Sequence, residues 1–346
     1  MSLQQCSPCI DHSSRTKFIS PPLEGFTLHR VFNKYGGSAR HCYSLAKVPV
    51  RAARWEATIP QLLNATPNML TYRPYIAGRS IISETVESVS KSSSQLITII
   101  PDSERQPCVT LVSQHITEHL FNAVLNRNHE LFWKYYKQFS SVPESHTPAG
   151  WLWELYAISR LQNHPIGLRD LPPPPSEPST KKIRLDVQVG PVGPFSVFKG
   201  HGDKKSLTRE LSLAIRSGKP ILFKPGAKNQ ATYVAFSISD DNVVTLYQPT
   251  IGGSLSSSVK AKGLDYIWDA LKDASGGKIL LPKKGKRWRL VFLVDEDVDK
   301  HWKTARGIDF GGTKPKHQWE DYIQQFVGVL PKSINVGSTS TPISSG

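Results

Sequence analysis

Four consecutive prolines, Pro172 to Pro175, constrain this chain more than any other feature. Each lacks a backbone N–H and fixes its own φ, so neither a helix nor a ladder-bonded central strand runs through them. The PPPPSEP stretch at 172–178 therefore reads as an extended, polyproline-like insert. The sequence on its two sides has different periodicity.

On the N-terminal side, residues 20–140 read as mainly helical. They show an apolar start at Val31–Phe32, a turn at Tyr35-Gly36-Gly37, and helices near 82–91 and 110–139. HELFWKYYKQF interleaves aromatics with Lys134 and Lys137, and AGWLWELYAISRLQ predicts a helix over 149–162. On the C-terminal side KIRLDVQV and GPFSVFKG read as strands, SLTRELSLAIRSG as a helix, and PILFK, TYVAFSIS and VVTLYQPT as strands. GLDYIWDALKD then predicts a helix, RWRLVFLV a strand and HQWEDYIQQFVGVL a last helix. Such alternation implies an α+β or α/β fold: a small mainly helical N-terminal domain, then a central mixed sheet flanked by helices over 145–330. Residues 1–19 and the Ser/Thr/Gly-rich 331–346 carry no core-forming pattern and read as disordered ends.

The chain has 346 residues and a net charge of +15, with 26 basic against 15 acidic residues from residue 181 onward. That excess points to an anionic partner, nucleic acid above all, met by the C-terminal half. The sequence contains neither an apolar run long enough to span a bilayer nor the charged-then-apolar order of a secretory signal, so a nuclear or cytoplasmic protein without membrane contact is expected. Four cysteines make no disulfide framework. Cys6 and Cys9 form a CxxC near His12 but have no second pair at zinc-finger spacing, and no histidine is read as standing in metal-ligand spacing with another. There is no GxxxxGK[ST] loop, hence no ATP site, and neither GxSxG nor HExxH occurs.

Glu154 is the first residue with candidate chemistry. Helical spacing puts it on a face with Trp151, Leu155 and Ile158, and a carboxylate turned toward a core needs a partner or a metal. In VVTLYQPT, period-two spacing puts Val244, Leu246, Gln248 and Thr250 on one face, so an apolar strand ends in two neutral hydrogen-bonding groups. Pro249 between them fits a strand edge or bulge. Asp240 and Asp241 stand in the preceding turn, and Asp186 falls on the solvent-facing side of KIRLDVQV. The KKGKRWR run offers Lys283, Lys284, Lys286, Arg287 and Arg289 as a phosphate grip, with Trp288 for packing or stacking. The same run also reads as a solvated basic turn.

The order of these segments resembles the Crinkler and retrotransposon-hot-spot type proteins of fungi and oomycetes, which join a P-loop ATPase to a restriction-endonuclease-like domain of the PD-(D/E)XK class. FNKYGGSARHCY is similar to the end of that ATPase, with Gly36, Gly37, Ser38 and Arg40 on its Gly-Gly-Ser-x-Arg element. PAGWLWELYAISRL resembles the opening of the nuclease-like domain, with Glu154 on its acidic position. NQATYVAFSIS and VVTLYQPT resemble its central hairpin, with Gln248 and Thr250 on the Gln-x-Thr element, and VKAKGLDYIWDAL resembles the helix that follows. Two positions depart from the pattern: Val234 stands where the metal-binding Asp is expected, and GGSLSSS where a His is expected.

The resemblance implies that 20–140 is the C-terminal remnant of an ATPase subdomain, in a truncated gene product or the descendant of a fragment. It further implies catalytic positions at Glu154, Gln248 and Thr250; if the site is active, Mg2+ is held by Glu154 with a displaced carboxylate, Asp240, Asp241 or Asp186. With Val234 in place of the Asp, a single charge is thin for a divalent ion that must also activate water. Three readings follow: a DNA-binding, degenerate nuclease of effector type, with host-cell delivery as a family trait; an active Mg2+-dependent endonuclease centred on Glu154; and a non-catalytic module that docks a protein through the aromatic helices at 110–139.

Overall fold

The computed structural model describes residues 25–36, 39–65, 96–101, 107–125, 129–140, 146–173, 185–189, 195–198, 204–218, 221–225, 232–239, 241–251, 258–283, 285–312 and 315–332. The expectations for 1–19, the Cys6–Cys9–His12 group, the helix at 82–91, most of the Pro-rich insert, Asp240, Lys284 and the tail beyond Lys332 fall outside them.

The N-terminal region is mainly helical, with α1 at Gly25–Tyr35, α2 at Ala39–Lys47 and α3 at Pro49–Ala65. An antiparallel hairpin that the sequence reading did not anticipate, β1 (Ile97–Pro101) with β2 (Pro107–Leu111), separates these from α4 (Gln114–Leu125), α5 (His129–Ser140) and α6 (His146–Asn163). Helix α1 stops at Gly36, whose φ of +61° is left-handed and whose N–H donates to the Phe32 carbonyl at 2.7 Å. A Cβ there would meet the Val112 carbonyl oxygen at 2.3 Å, so only glycine lets the end of β2 come this close.

From β3 (Ile166–Asp170) and β4 (Leu185–Val189) the chain builds a sheet with β5 (Phe195–Phe198), helix α7 (Lys204–Ser217), β6 (Ile221–Pro225), β7 (Ala235–Ile238) and β8 (Val244–Pro249). The short strand β9 (Val259–Lys260) leads into α8 (Ala261–Asp273), β10 (Trp288–Asp295) and the single turn α9 (Glu296–Asp299). Strand β11 (Ile308–Asp309) pairs with β9, and the turn α10 (Trp319–Tyr322) runs into β12 (Ile323–Leu330). The eight-stranded sheet has the order β4-β3-β12-β10-β8-β7-β6-β5. Its centre, β12-β10-β8, is parallel, while β6-β7-β8 is an antiparallel meander. The fold is thus a mixed sheet flanked by helices, as the alternation of the sequence implied.

Strand β12 corrects the sequence reading. Trp319, Ile323, Phe326 and Leu330 fall at helical spacing, yet only Trp319–Tyr322 is helical. The next eight residues pair in parallel with all of β10, from Trp288↔Ile323 to Asp295↔Leu330. A strand covered on both faces needs apolar residues on both, and that breaks the alternation that would have identified it. Gly328 has Leu293, Ile166 and Leu168 side chains 3.1–3.2 Å from where a Cβ would stand, so it serves close packing between three strands.

Two apolar cores lie against the two faces. Leu222, Ala235, Tyr247, Val291 and Leu293 point to the side of α6 and the N-terminal helices; Phe223, Phe236, Leu246, Leu290 and Phe292 point to α7 and α8. Phe121, Phe132, Trp133, Tyr135, Tyr136 and Phe139 are all buried on the α6 side. Each such ring removes roughly 150–250 Å² from water, worth about 4–6 kcal/mol at ~25 cal/mol per Å². The proposed protein-docking face at 110–139 is therefore interior: its rings pack on Trp153 and Tyr156 of α6 and on one another. Tyr136 Oη donates to buried Asp295 Oδ2 at 3.0 Å, tying α5 to the end of the central strand.

Candidate functional site

Glu154 is held in place by its neighbours on α6. Trp153 Nε1 donates to the Leu293 carbonyl at 2.9 Å and Tyr156 Oη to the Pro331 carbonyl at 2.7 Å, pinning the helix across β10 and the exit of β12. Glu154 itself is half-buried beside this stripe. Burial pushes its carboxyl up to about 7; the Lys224 ammonium opposes that shift and the Glu118 carboxylate adds to it. Lys224 belongs to β6, where Leu222 faces the α6 core and Phe223 the other, so alternation returns Lys224 to the side of Glu154. Glu118 comes from α4. The sequence reading missed both Lys224 and Glu118. A lysine ending the apolar run ILFK on the face of Leu222 was the available signal for the first.

Val234 stands on the same side. It packs half-buried against the α6 core with Ala235, while Tyr233 and Phe236 turn to the opposite core. Two successive residues on one side mark an irregular entry into β7, which simple alternation does not foresee. On the face that Glu154 occupies, these two hairpin residues are apolar where the resemblance calls for an acid.

The other sequence candidates are elsewhere. Gln248 is paired in register with Phe292 and shares the face of Leu246, so the sheet lies between it and Glu154. Its Oε1 is buried without a hydrogen-bond partner among the described residues. The Thr250 hydroxyl donates locally to the Gln248 carbonyl at 3.2 Å and its N–H to Leu293 O at 2.9 Å. Pro249 is the last residue of β8, which is a central strand rather than an edge. Asp241 sits in the β7–β8 turn, paired with Arg289 at 2.9 Å, and these contacts with Ser239 and Arg289 hold its carboxyl below the usual range against burial. From that turn to Tyr247, which lies opposite Ala235, is about 20 Å along the strand. Asp186 lies on edge strand β4, five strand positions from β7, about 24 Å away.

The basic run splits. Lys283 and Arg287 are exposed, while half-buried Lys286 donates to the Ile279 carbonyl at 3.3 Å and Arg289 is taken up by Asp241. Trp288 is not available for stacking on a ligand: it is buried, and its Nε1 donates to the Leu280 carbonyl at 2.7 Å. Arg289 is level with Leu222 through Thr245 and Ser237, three strand steps or about 14 Å from β6, so the run does not converge on Glu154.

A second constellation, in the N-terminal half, overturns the reading that no histidines stand in metal-ligand spacing. His115 and His119, four residues apart on α4, present their Nε2 atoms to the Glu56 carboxylate of α3. His115 Nε2 is 3.0 Å from each Glu56 oxygen, and His119 Nε2 is 3.3 Å from Oε2. The rings meet edge-on with centroids 4.7 Å apart. Lys34 pairs with the same carboxylate and Tyr35 Oη donates to it at 2.8 Å. Burial favours protonation of Glu56, but the hydrogen bonds from Lys34, Tyr35 and His115 outweigh it and hold the carboxyl down to about 2. Burial also pushes the His115 imidazole below its ordinary value, which Glu56 only partly restores. HITEH at 115–119 carried the signal as an i, i+4 histidine pair; the third member, Glu56, 59 residues earlier, becomes a neighbour only when α3 packs on α4.

Compared with family models, with curated proteins and with solved structures, the chain finds no match.

Proposed function

We propose that this protein binds nucleic acid through a restriction-endonuclease-like domain of the Crinkler and retrotransposon-hot-spot type whose metal-dependent cleavage is lost or strongly impaired. The observation that carries the reading is the apolar Val234–Ala235 pair on the Glu154 side of the hairpin. A divalent ion there would have Glu154 and no hairpin carboxylate, and a carboxyl with a pKa of about 7 is a poor ligand at neutral pH. The order α6, the β6–β7–β8 meander, α8, then β10 parallel to β8 is consistent with such a domain, and Lys283 and Arg287 at the surface supply positive charge for phosphate.

Fluorescence anisotropy with a labelled duplex, over a salt series, tests this. Binding that weakens with salt, and a slope reduced by about 0.9 for each phosphate contact removed in Lys283→Glu/Arg287→Glu, is the expected result. Absence of binding at low salt rejects it.

A second reading rests on Glu118. Its charge reaches Glu154, and with Lys224 it assembles two carboxylates and an amine on one side of the sheet. In this reading Glu118 replaces the missing hairpin acid and the site holds Mg2+ for phosphodiester cleavage. Plasmid nicking that requires Mg2+ and disappears in both Glu154→Ala and Glu118→Ala decides for it; equal activity in the wild type and both variants removes it.

A further inference from the structure

We infer that Glu56, His115 and His119 form a binding site for a first-row divalent cation, with Zn2+ the best fit, distinct from Glu154 and independent of the nucleic-acid reading. The three donors are two borderline imidazole nitrogens and one hard carboxylate oxygen, a set that suits Zn2+. All three ligand atoms lie within 4.8 Å of one another. Donors on a tetrahedral ion with bonds of about 2.0–2.1 Å stand about 3.3 Å apart. The His115–Glu56 and His119–Glu56 separations of 3.0 and 3.3 Å are already close to that edge, so an ion can enter with small side-chain adjustments.

Lys34 explains how the cluster is balanced without an ion. Its ammonium occupies the cation position at the Glu56 carboxylate, yet its side chain keeps 44% of its exposure and can swing into water. Tyr35 is buried and its hydroxyl already donates to Glu56 Oε1, the role of an outer hydrogen bond that orients a ligating carboxylate. The ligands sit on two helices, α3 and α4, whose packing sets the pocket, with Ile59 and Ile116 fully buried beside it. Only three protein donors are present among the described residues, so the fourth position, vacated by Lys34, is left for water or an exogenous anion. That is the open coordination of a reactive zinc rather than the closed set of a structural one.

The test uses the full chain with Cys6→Ser/Cys9→Ser, which removes the other candidate thiol ligands. Zn2+ is titrated by equilibrium dialysis after chelator treatment, and Co2+ by its visible ligand-field absorption. One ion per chain is expected, with the strong absorption of four-coordinate Co2+. His119→Ala should weaken binding at least about 100-fold, and Lys34→Gln should tighten it several-fold by removing the competing ammonium. Binding of equal strength in the parent and His119→Ala, absence of stoichiometric binding, or its loss with the two cysteines overturns the inference. Should His119→Ala fail to fold, Lys34→Gln decides: unchanged affinity there overturns it equally.

Discussion

Gln248 stands beside Phe292 in the parallel register of β8 and β10, and that neighbour assigns it to the face covered by α7 and α8, across the sheet from Glu154. Gln248→Leu should consequently leave nucleic-acid binding unchanged. Because it removes a buried carbonyl oxygen without a partner, stability should stay level or rise by about 1 kcal/mol in urea unfolding. A large loss of binding with intact folding would show that Gln248 serves the Glu154 site after all.

The Glu154 carboxyl makes stability depend on pH. Its folded pKa of about 7 lies above the ordinary 4.5, so the folded state holds the proton more tightly than the unfolded one. The contribution is complete below pH 4.5 and is lost as pH rises through 7, at most about 3 kcal/mol before solvent screening. In Glu154→Gln the decline in urea midpoint between about pH 5 and 8 should flatten relative to wild type. Parallel profiles would mean that the carboxyl is already ionised at the acid end of that range.

Tyr136→Phe removes the hydrogen bond to Asp295, a buried carboxylate that also caps α9 by accepting from the Asp297 and Val298 amides. A loss of about 1.5–3 kcal/mol is expected, as for a hydrogen bond to a charged group. Since α5 and the sheet share one apolar core, the whole unfolding transition should shift rather than split. An early transition confined to the N-terminal helices would show that they fold on their own.

Gly36→Ala tests whether the left-handed stop of α1 at Gly36 is structural. Left-handed φ and a Cβ 2.3 Å from the Val112 carbonyl oxygen predict at least about 1–3 kcal/mol of destabilisation. Stability like that of the wild type would mean that the end of α1 rearranges freely.

Each of these sites was legible to a different depth. Glu154 could be found because helical spacing is local, and its half-buried position on the face of Leu155 and Ile158 follows from that period. The face of Gln248 relative to its strand mates Val244 and Leu246 was equally readable. Lys224 and Glu118 were not, because they reach Glu154 from a strand and a helix distant in the chain. His115 and His119 were visible as a pair; Glu56 was not.

What the sequence determined by itself is the local order in outline: a mainly helical first part and then strands and helices in alternation, with basic charge in the second half, but not the β1–β2 hairpin or β3, which both precede the proline run. Tertiary structure alone decided three things. It made 323–330 a central strand, since parallel pairing with β10 outweighs a helical spacing of apolar residues. It turned the aromatic helices inward, since Trp153 and Tyr156 of α6 offered an apolar face that needed covering. It set Glu154 and Gln248 on opposite sides of the sheet, because the chain does not specify which face a helix will cover until the strands between are paired.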